Sequence, residues 1–208
     1  MYIPPAFSQT APDCLAQFIA THSFALLVSA REGIPSVSHL PLLYEPQPGT
    51  HGTLYGHMAR ANGHWREAVG DVLAVFSGPH AYVSPTWYDS EQVVPTWNYA
   101  AVHVRGRLTL VEDAHESLEV LGRLVEFYER GMPKSWKFDP DDPWMQRLAE
   151  GIVAFRIAVT AIEGKWKLSQ NQPPERRHKV IDALTQSGDD QSRQVAQMMT
   201  KALAGSHP

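Results

Sequence analysis

The chain has 208 residues, a formal net charge of -4, 43% hydrophobic residues and 19% charged ones. That is enough apolar material for a folded core, so the chain is not a disordered one. An acidic balance argues against a surface that grips nucleic acid non-specifically, which requires a surplus of Lys and Arg. One cysteine, Cys14, excludes an intramolecular disulfide. With no apolar run near the roughly 20 residues of a membrane span and no signal peptide visible, a cytoplasmic protein is expected.

In chain order, Tyr2 to Phe7 reads as an extended arm held by Pro4 and Pro5. A helix starts near Thr10 and runs to about Thr21, burying Leu15, Phe18 and Ile19. Residues 24–30 and 37–44 flank a turn at Gly33 and form a candidate hairpin. Residues 53–57, 72–76 and 81–84 read as further strands. Residues 96–111 form a long β-rich run, with Gly106 marking a bulge or sharp bend. A helix over 114–130 puts Leu118, Leu121, Val125 and Tyr128 on one face. A Pro- and Asp-rich loop follows, then a short turn at 144–149. Residues 152–162 alternate as a strand. Two helices, 174–185 and 190–203, close the chain. Strands close in sequence with few crossover helices favour an antiparallel barrel over a doubly wound sheet. The expected organisation is a barrel over 1–170 with the 114–130 helix inserted, and a helical extension over 171–208 packed on the same domain.

Three clusters carry candidate chemistry. In residues 55–62, Arg60 offers a planar fork of donors suited to phosphate, and His57, Asn62 and the start of a short helix add further donors. The same residues also suit a solvated loop in which Arg60 meets a surface carboxylate. In residues 82–99, Trp87, Trp97, Tyr82, Tyr88 and Tyr99 are interleaved with Ser84, Thr86, Thr96 and Asn98. Such a set can border a planar heterocycle or form core or dimer interface. In residues 164–171, Lys167 can pair with a phosphate or with electron density on a ring, and Ser169, Gln170 and Asn171 can bond to a ligand rim; a polar connection is the plainer alternative. His39, His57, His64, His80 and His103 sit in no metal-ligand spacing, and no second cysteine is available for a zinc site, so no metal is expected.

At the C-terminal end, Arg176, Arg177, His178 and Lys179 form a basic run, and the 187–189 turn between two helices resembles a helix-turn-helix. Such a pair serves more often as a barrel cap or a dimer element. Arginine in a helix's first turn opposes the dipole, which points to an anionic neighbour.

Several strings in this order resemble the PaiB family of FMN-binding split-barrel proteins, described as negative transcriptional regulators. They are Met1-Tyr2-Ile3-Pro4 with Phe7, Ser38-His39-Leu40-Pro41, Gly56-His57-Met58-Ala59-Arg60-Ala61-Asn62, Ala81-Tyr82-Val83-Ser84-Pro85 with Trp87-Tyr88, Val94-Pro95-Thr96-Trp97-Asn98-Tyr99 with Val102-His103 and Gly106, and Lys167-Leu168-Ser169-Gln170-Asn171. The resemblance implies a mainly β (α+β) fold, an antiparallel split β-barrel of the FMN-binding type with a helical C-terminal extension. It implies a homodimer with FMN at two sites built by both subunits. By position, Arg60 with His57 and Asn62 would meet the phosphate. Ser38, His39 and Leu40 would run along the isoalloxazine edge, and Trp97 and Asn98 would border the ring. Lys167, Ser169 and Gln170 would approach from one side. Two departures stand out: Gly63 where the family has Pro, and Arg176, Arg177 and Lys179 where it carries an Asp-Arg pair and then Gly.

Function stays open among a flavin-binding regulator acting on DNA or a protein partner, an FMN-dependent oxidoreductase on a small substrate, and a haem-handling barrel with His39 or His103 as ligand. No nucleophile–base–orienter set and no carboxylate pair points to hydrolysis.

Overall fold

Extended segments of alternating burial form the sheet of this chain, and helices flank it. A computed structural model of the protein describes residues 1–88 and 92–205; the last three residues of the expected C-terminal extension, 206–208, lie outside the described residues. Eight strands form one sheet in the order β3-β2-β6-β7-β8-β5-β4, with β1 paired to β8. β1 with β8, β2 with β3 and β6, and β5 with β4 and β8 all pair antiparallel. The Cα positions divide into two compact units, one of residues 1–18, 77–102 and 163–208, the other of residues 19–76 and 103–162.

In the second of these units, β2 (Phe24–Arg31) and β3 (Ile34–Pro41) form a hairpin with Arg31 opposite Ile34. Its two loop residues, Glu32 and Gly33, both have positive φ (52° and 81°). That is the requirement of a mirror-image turn that matches strand twist. The expected 37–44 strand is two strands. β3 ends at Pro41, Leu42 donates its N–H to Ser23 O at 2.9 Å, and β4 (Leu43–Glu45) pairs instead with β5 (Thr53–Ala59). β5 pairs along its length with the start of β8 (Ile152–Lys167), from Thr53 opposite Ala158 to Ala59 opposite Ile152. Helix α3 (Ala114–Glu129) is capped by Asp113, which accepts from Glu116 N at 2.8 Å. Val120 and Leu124 of α3 pack on Tyr55, Val111 and Ala154. The short helix α4 (Pro143–Ala149) is capped in the same way by Asp142.

Gly106 on β7 (Thr96–Leu110), where a bulge or sharp bend is expected, is a point of close approach to β8. A Cβ there would lie 2.5 Å from Ala158 O and 2.5 Å from Ile157 Cγ2. Only a residue without a side chain lets β7 pass β8 at that point.

In the first unit, β1 (Ser8–Gln9) pairs with the far end of β8, Gln9 opposite Gly164. The separate strands expected at 72–76 and 81–84 are one strand, β6 (Gly70–Val83). Gly78 and Pro79 look like a break in sequence, yet the chain stays extended through them. Buried positions fall at Val72, Ala74 and Phe76, then change phase to Pro79, Ala81 and Val83. A Cβ on Gly78 would meet the Phe18 ring at 2.6 Å. Helix α1 spans Pro12–Thr21, starting two residues beyond Thr10. Helices α5 (Pro174–Gln186) and α6 (Asp190–Leu203) pack on each other, and Val180, Leu184, Val195, Ala196 and Met199 are buried. Asp189 caps α6, accepting from Ser192 N at 2.9 Å. Among the described residues, no helix is long and apolar enough to cross a membrane.

Candidate functional site: two polar clusters

The residues singled out by sequence fall into two groups, one in each unit. In residues 19–76 and 103–162, the short helix α2 (His64–Glu67) follows the Gly56–Asn62 string and turns the His64 ring inward. His64 is 6% exposed. Its Nδ1 lies 2.7 Å from Ser38 Oγ and its Nε2 2.9 Å from Ser29 Oγ. Asn62 Nδ2 donates to Ser38 Oγ at 3.1 Å, and Asn62 Oδ1 accepts from His64 N at 3.1 Å. That main-chain N–H fixes which way the Asn62 amide faces. With Asn62 donating to Ser38, the four side chains Asn62, Ser38, His64 and Ser29 form one hydrogen-bonded chain, its direction through the imidazole set by the His64 tautomer. Burial lowers the His64 pKa, with Glu67 pulling the other way. His64 is the residue sequence reasoning missed. Its only signal was an Asn two positions ahead of it.

The other members of this group are placed separately. His39 is exposed and stacks on Phe24, ring centroids 6.1 Å apart, while Leu40 beside it is buried. His57 keeps a buried Nδ1 without a hydrogen-bond partner, and burial lowers its pKa. Arg60 uses its fork on main chain: Nε donates to Glu150 O at 2.7 Å and Nη2 to Ile152 O at 2.8 Å. The α2 start adds no free donor at its first N–H, because Asn62 already takes it. Arg60 borders a cavity of about 660 Å³ whose lining includes Glu112, Asp141 and Glu150.

In residues 1–18, 77–102 and 163–208, a second cluster forms around the β7 start and the β8 end. Asn98 is fully buried, and its Nδ2 donates to Ser169 Oγ at 2.9 Å and to Met199 Sδ at 3.4 Å. Ser169 sits in the left-handed region at φ 60°, held by a turn in which Gln172 N donates to Ser169 O at 2.9 Å. A non-glycine residue in that region carries strain that the surrounding bonds must hold. Lys167 Nζ donates to Thr96 Oγ1 and, at 2.6 Å, to Trp97 O. Burial, then the charge of Lys165, lowers its pKa. Trp97 is half-exposed, edge-on to Tyr82 at 5.9 Å and beside His80 at 6.1 Å. Gln170 closes its own turn, accepting from Leu168 N at 2.7 Å and donating to Trp166 O at 2.5 Å, so its amide is spent internally.

Phe7, Tyr88, Thr96, Asn98, Lys167 and Ser169 line a cavity of about 270 Å³. Its described lining carries a cation and no carboxylate. Tyr88 and Thr96 belong to the aromatic and polar set that the sequence offers for a planar heterocycle, whereas Phe7 was not assigned to the ligand although it stands in a string that carries the family resemblance.

These features define an antiparallel split-barrel protein with flanking helices, the architecture that flavin-binding and pyridoxamine-oxidase-like proteins share. The chain belongs to the family described as "Putative FMN-binding domain", which matches residues 1–161, and FMN is the cofactor of that family. It is 38% identical over 208 residues to "Protease synthase and sporulation protein PAI 2" of Bacillus subtilis (strain 168), with 98% of each chain covered. The fold is similar to that of the flavocytochrome Anf3 from Azotobacter vinelandii, with TM-score 0.60 and 15% identity over 77% of this chain and 69% of that one. It is also similar to the FAD and heme binding protein from Mycobacterium smegmatis, with TM-score 0.62 and 12% identity over 82% and 78%.

A flavin mononucleotide needs an aromatic-edged cleft, rim donors and a cation for negative charge. The second cluster offers these in Trp97, the Asn98–Ser169 pair and Lys167, so its residues fit the group.

Proposed function

We propose that the protein works as a homodimer that holds FMN and uses the bound flavin to regulate a DNA or protein partner, in the manner of PaiB-type regulators. The observation that carries the flavin site is the buried Asn98–Ser169 pair beside the desolvated Lys167 on a cavity free of carboxylates among its described lining. Lys167 would face the electron-rich edge of the ring, and Asn98 with Ser169 would hold a polar rim. In the other unit, Ser38 is held by His64 and Asn62. Bound FMN supplies a two-electron redox centre.

The size of the cavity supports the dimer. About 270 Å³ lies at the lower edge of the roughly 300–1,000 Å³ of ligand pockets, which fits a site completed by a second surface. A second copy of the chain is the simplest source. The regulatory role rests on the relative whose name refers to sporulation.

Sedimentation velocity with absorbance at the flavin wavelength tests the reading. FMN should co-sediment with a dimer. A monomer that carries FMN would remove the dimer, and a dimer that excludes FMN would remove the site. A gel-shift series at rising salt then separates DNA from protein partners, because direct DNA contact must weaken steeply with salt.

A further inference from the structure

Among the described residues, two donors of one buried cation have no acceptor. Arg177 lies in the first turn of α5 and is 9% exposed. Its Nε and Nη2 are both buried and have no hydrogen-bond partner. These two atoms form the side-on edge of the guanidinium, from which two parallel N–H groups reach one carboxylate or phosphate. Burying such donors unpaired costs more than the net worth of an ordinary hydrogen bond.

Arg60 makes the comparison. It uses the same edge, Nε and Nη2, on the carbonyls of Glu150 and Ile152. The cavity it borders carries Glu112, Asp141 and Glu150, a surrounding that repels an anion. Arg177 belongs to the other unit. Its helix packs on the 3-10 turn Pro85–Tyr88, and Tyr88 of that turn lines the cavity that holds Lys167. Helix α5 has no side-chain N-cap bond; its Arg176 and Arg177 N–H groups both donate to Pro173 O, and Glu175 stands in the same turn.

We propose that Arg177 is the oxyanion-binding arginine of this chain, its Nε–H and Nη2–H edge taking a phosphate group side-on. The phosphate comes either from FMN, which rests on the flavin reading above, or from a free phosphate species. The guanidinium's lowered pKa, caused by burial, fits a charge held for a counter-ion.

The test titrates wild type, Arg177→Met and Arg177→Lys with FMN and with riboflavin by flavin fluorescence. It also follows the thermal midpoint of each in inorganic phosphate. Met keeps much of the volume without donors, and Lys keeps the charge without the fork. Wild type should prefer FMN over riboflavin. Arg177→Met should lower FMN affinity by about 10- to 100-fold, the worth of a charged bidentate contact, and leave riboflavin affinity unchanged. Arg177→Lys should recover part of the loss, and it carries the test if the Met variant does not fold. A variant that keeps the wild-type preference for FMN overturns the proposal. If wild type binds both flavins alike, or neither, the phosphate arm decides. A midpoint raised by phosphate in wild type but not in the variants assigns a free phosphate source to Arg177, and equal responses overturn it. Loss of all flavin binding in wild type defeats the flavin reading alone.

Discussion

Replacing His64 with Ala tests whether the Ser29–His64–Ser38–Asn62 chain is one unit. Ser29 is 4% exposed, and its bond to His64 Nε2 is the one its side chain makes among the described residues. Leaving that hydroxyl buried and unpaired costs about 1–3 kcal/mol. Ser38 keeps the Asn62 amide at 3.1 Å, so its loss is smaller, about 0.5–1.5 kcal/mol. The space left by the imidazole adds about 1–2 kcal/mol if it does not collapse. The total is about 2.5–6.5 kcal/mol, large against the roughly 5–15 kcal/mol of a typical domain. Urea unfolding of wild type, His64→Ala, Ser29→Ala and the double variant measures it. The coupling between the two sites should be about 1–2 kcal/mol, because the second deletion removes a group the first has already orphaned. A cost for His64→Ala below about 1 kcal/mol would refute the reasoning. So would single-variant costs that add within about 0.5 kcal/mol.

Acid should destabilise the protein through its histidines. His57 and His64 both have lowered pKa values in the fold, so on acidification the unfolded chain takes up protons first, near its ordinary value of about 6.5. Stability is then full above about pH 7.5 and falls through about 6.5 until the lower folded pKa values are passed. The slope is at most about 1.4 kcal/mol per pH unit per histidine. In His57→Gln the slope between about pH 7 and 5.5 should lessen, measured by urea midpoints, and an unchanged slope counts against that assignment. Gly106→Val should cost at least about 1–3 kcal/mol, because the new Cβ meets the Ala158 main chain at 2.5 Å, where no side chain can move aside; a neutral variant would show that β7 shifts freely. Arg60→Met should cost only about 1 kcal/mol, because its two carbonyl bonds are exposed, and an unchanged urea midpoint would show the clamp idle.

Much of the fold was legible because its signals are local. An apolar run marked β2, β-forming residues marked β5 and β7, alternation marked the first part of β8, the apolar stripe marked α3, and Gly33 marked the hairpin. Gly78 and Pro79 misled because their punctuation is read locally, while the reason for glycine is tertiary: the Phe18 ring occupies the place of a Cβ. The same holds for Gly106, whose constraint is the backbone of β8. At the site, residue chemistry was legible and partners were not. Arg60 has the fork for a phosphate, but no local pattern reveals that two carbonyls ninety and more positions away take it. Gln170 looked like a rim donor and instead spends both ends of its amide on its own turn. Arg177 stood out in sequence for its opposition to the helix dipole, and only packing shows that its side-on edge is buried and unpaired.

The most direct test of the account is a titration of the purified protein with FMN, followed by flavin absorbance and fluorescence. The account predicts saturable binding of one FMN per protomer, with a shifted flavin spectrum, and a weaker response when Lys167 is replaced by Met. An absent spectral change at saturating FMN, with the protein folded, would contradict it.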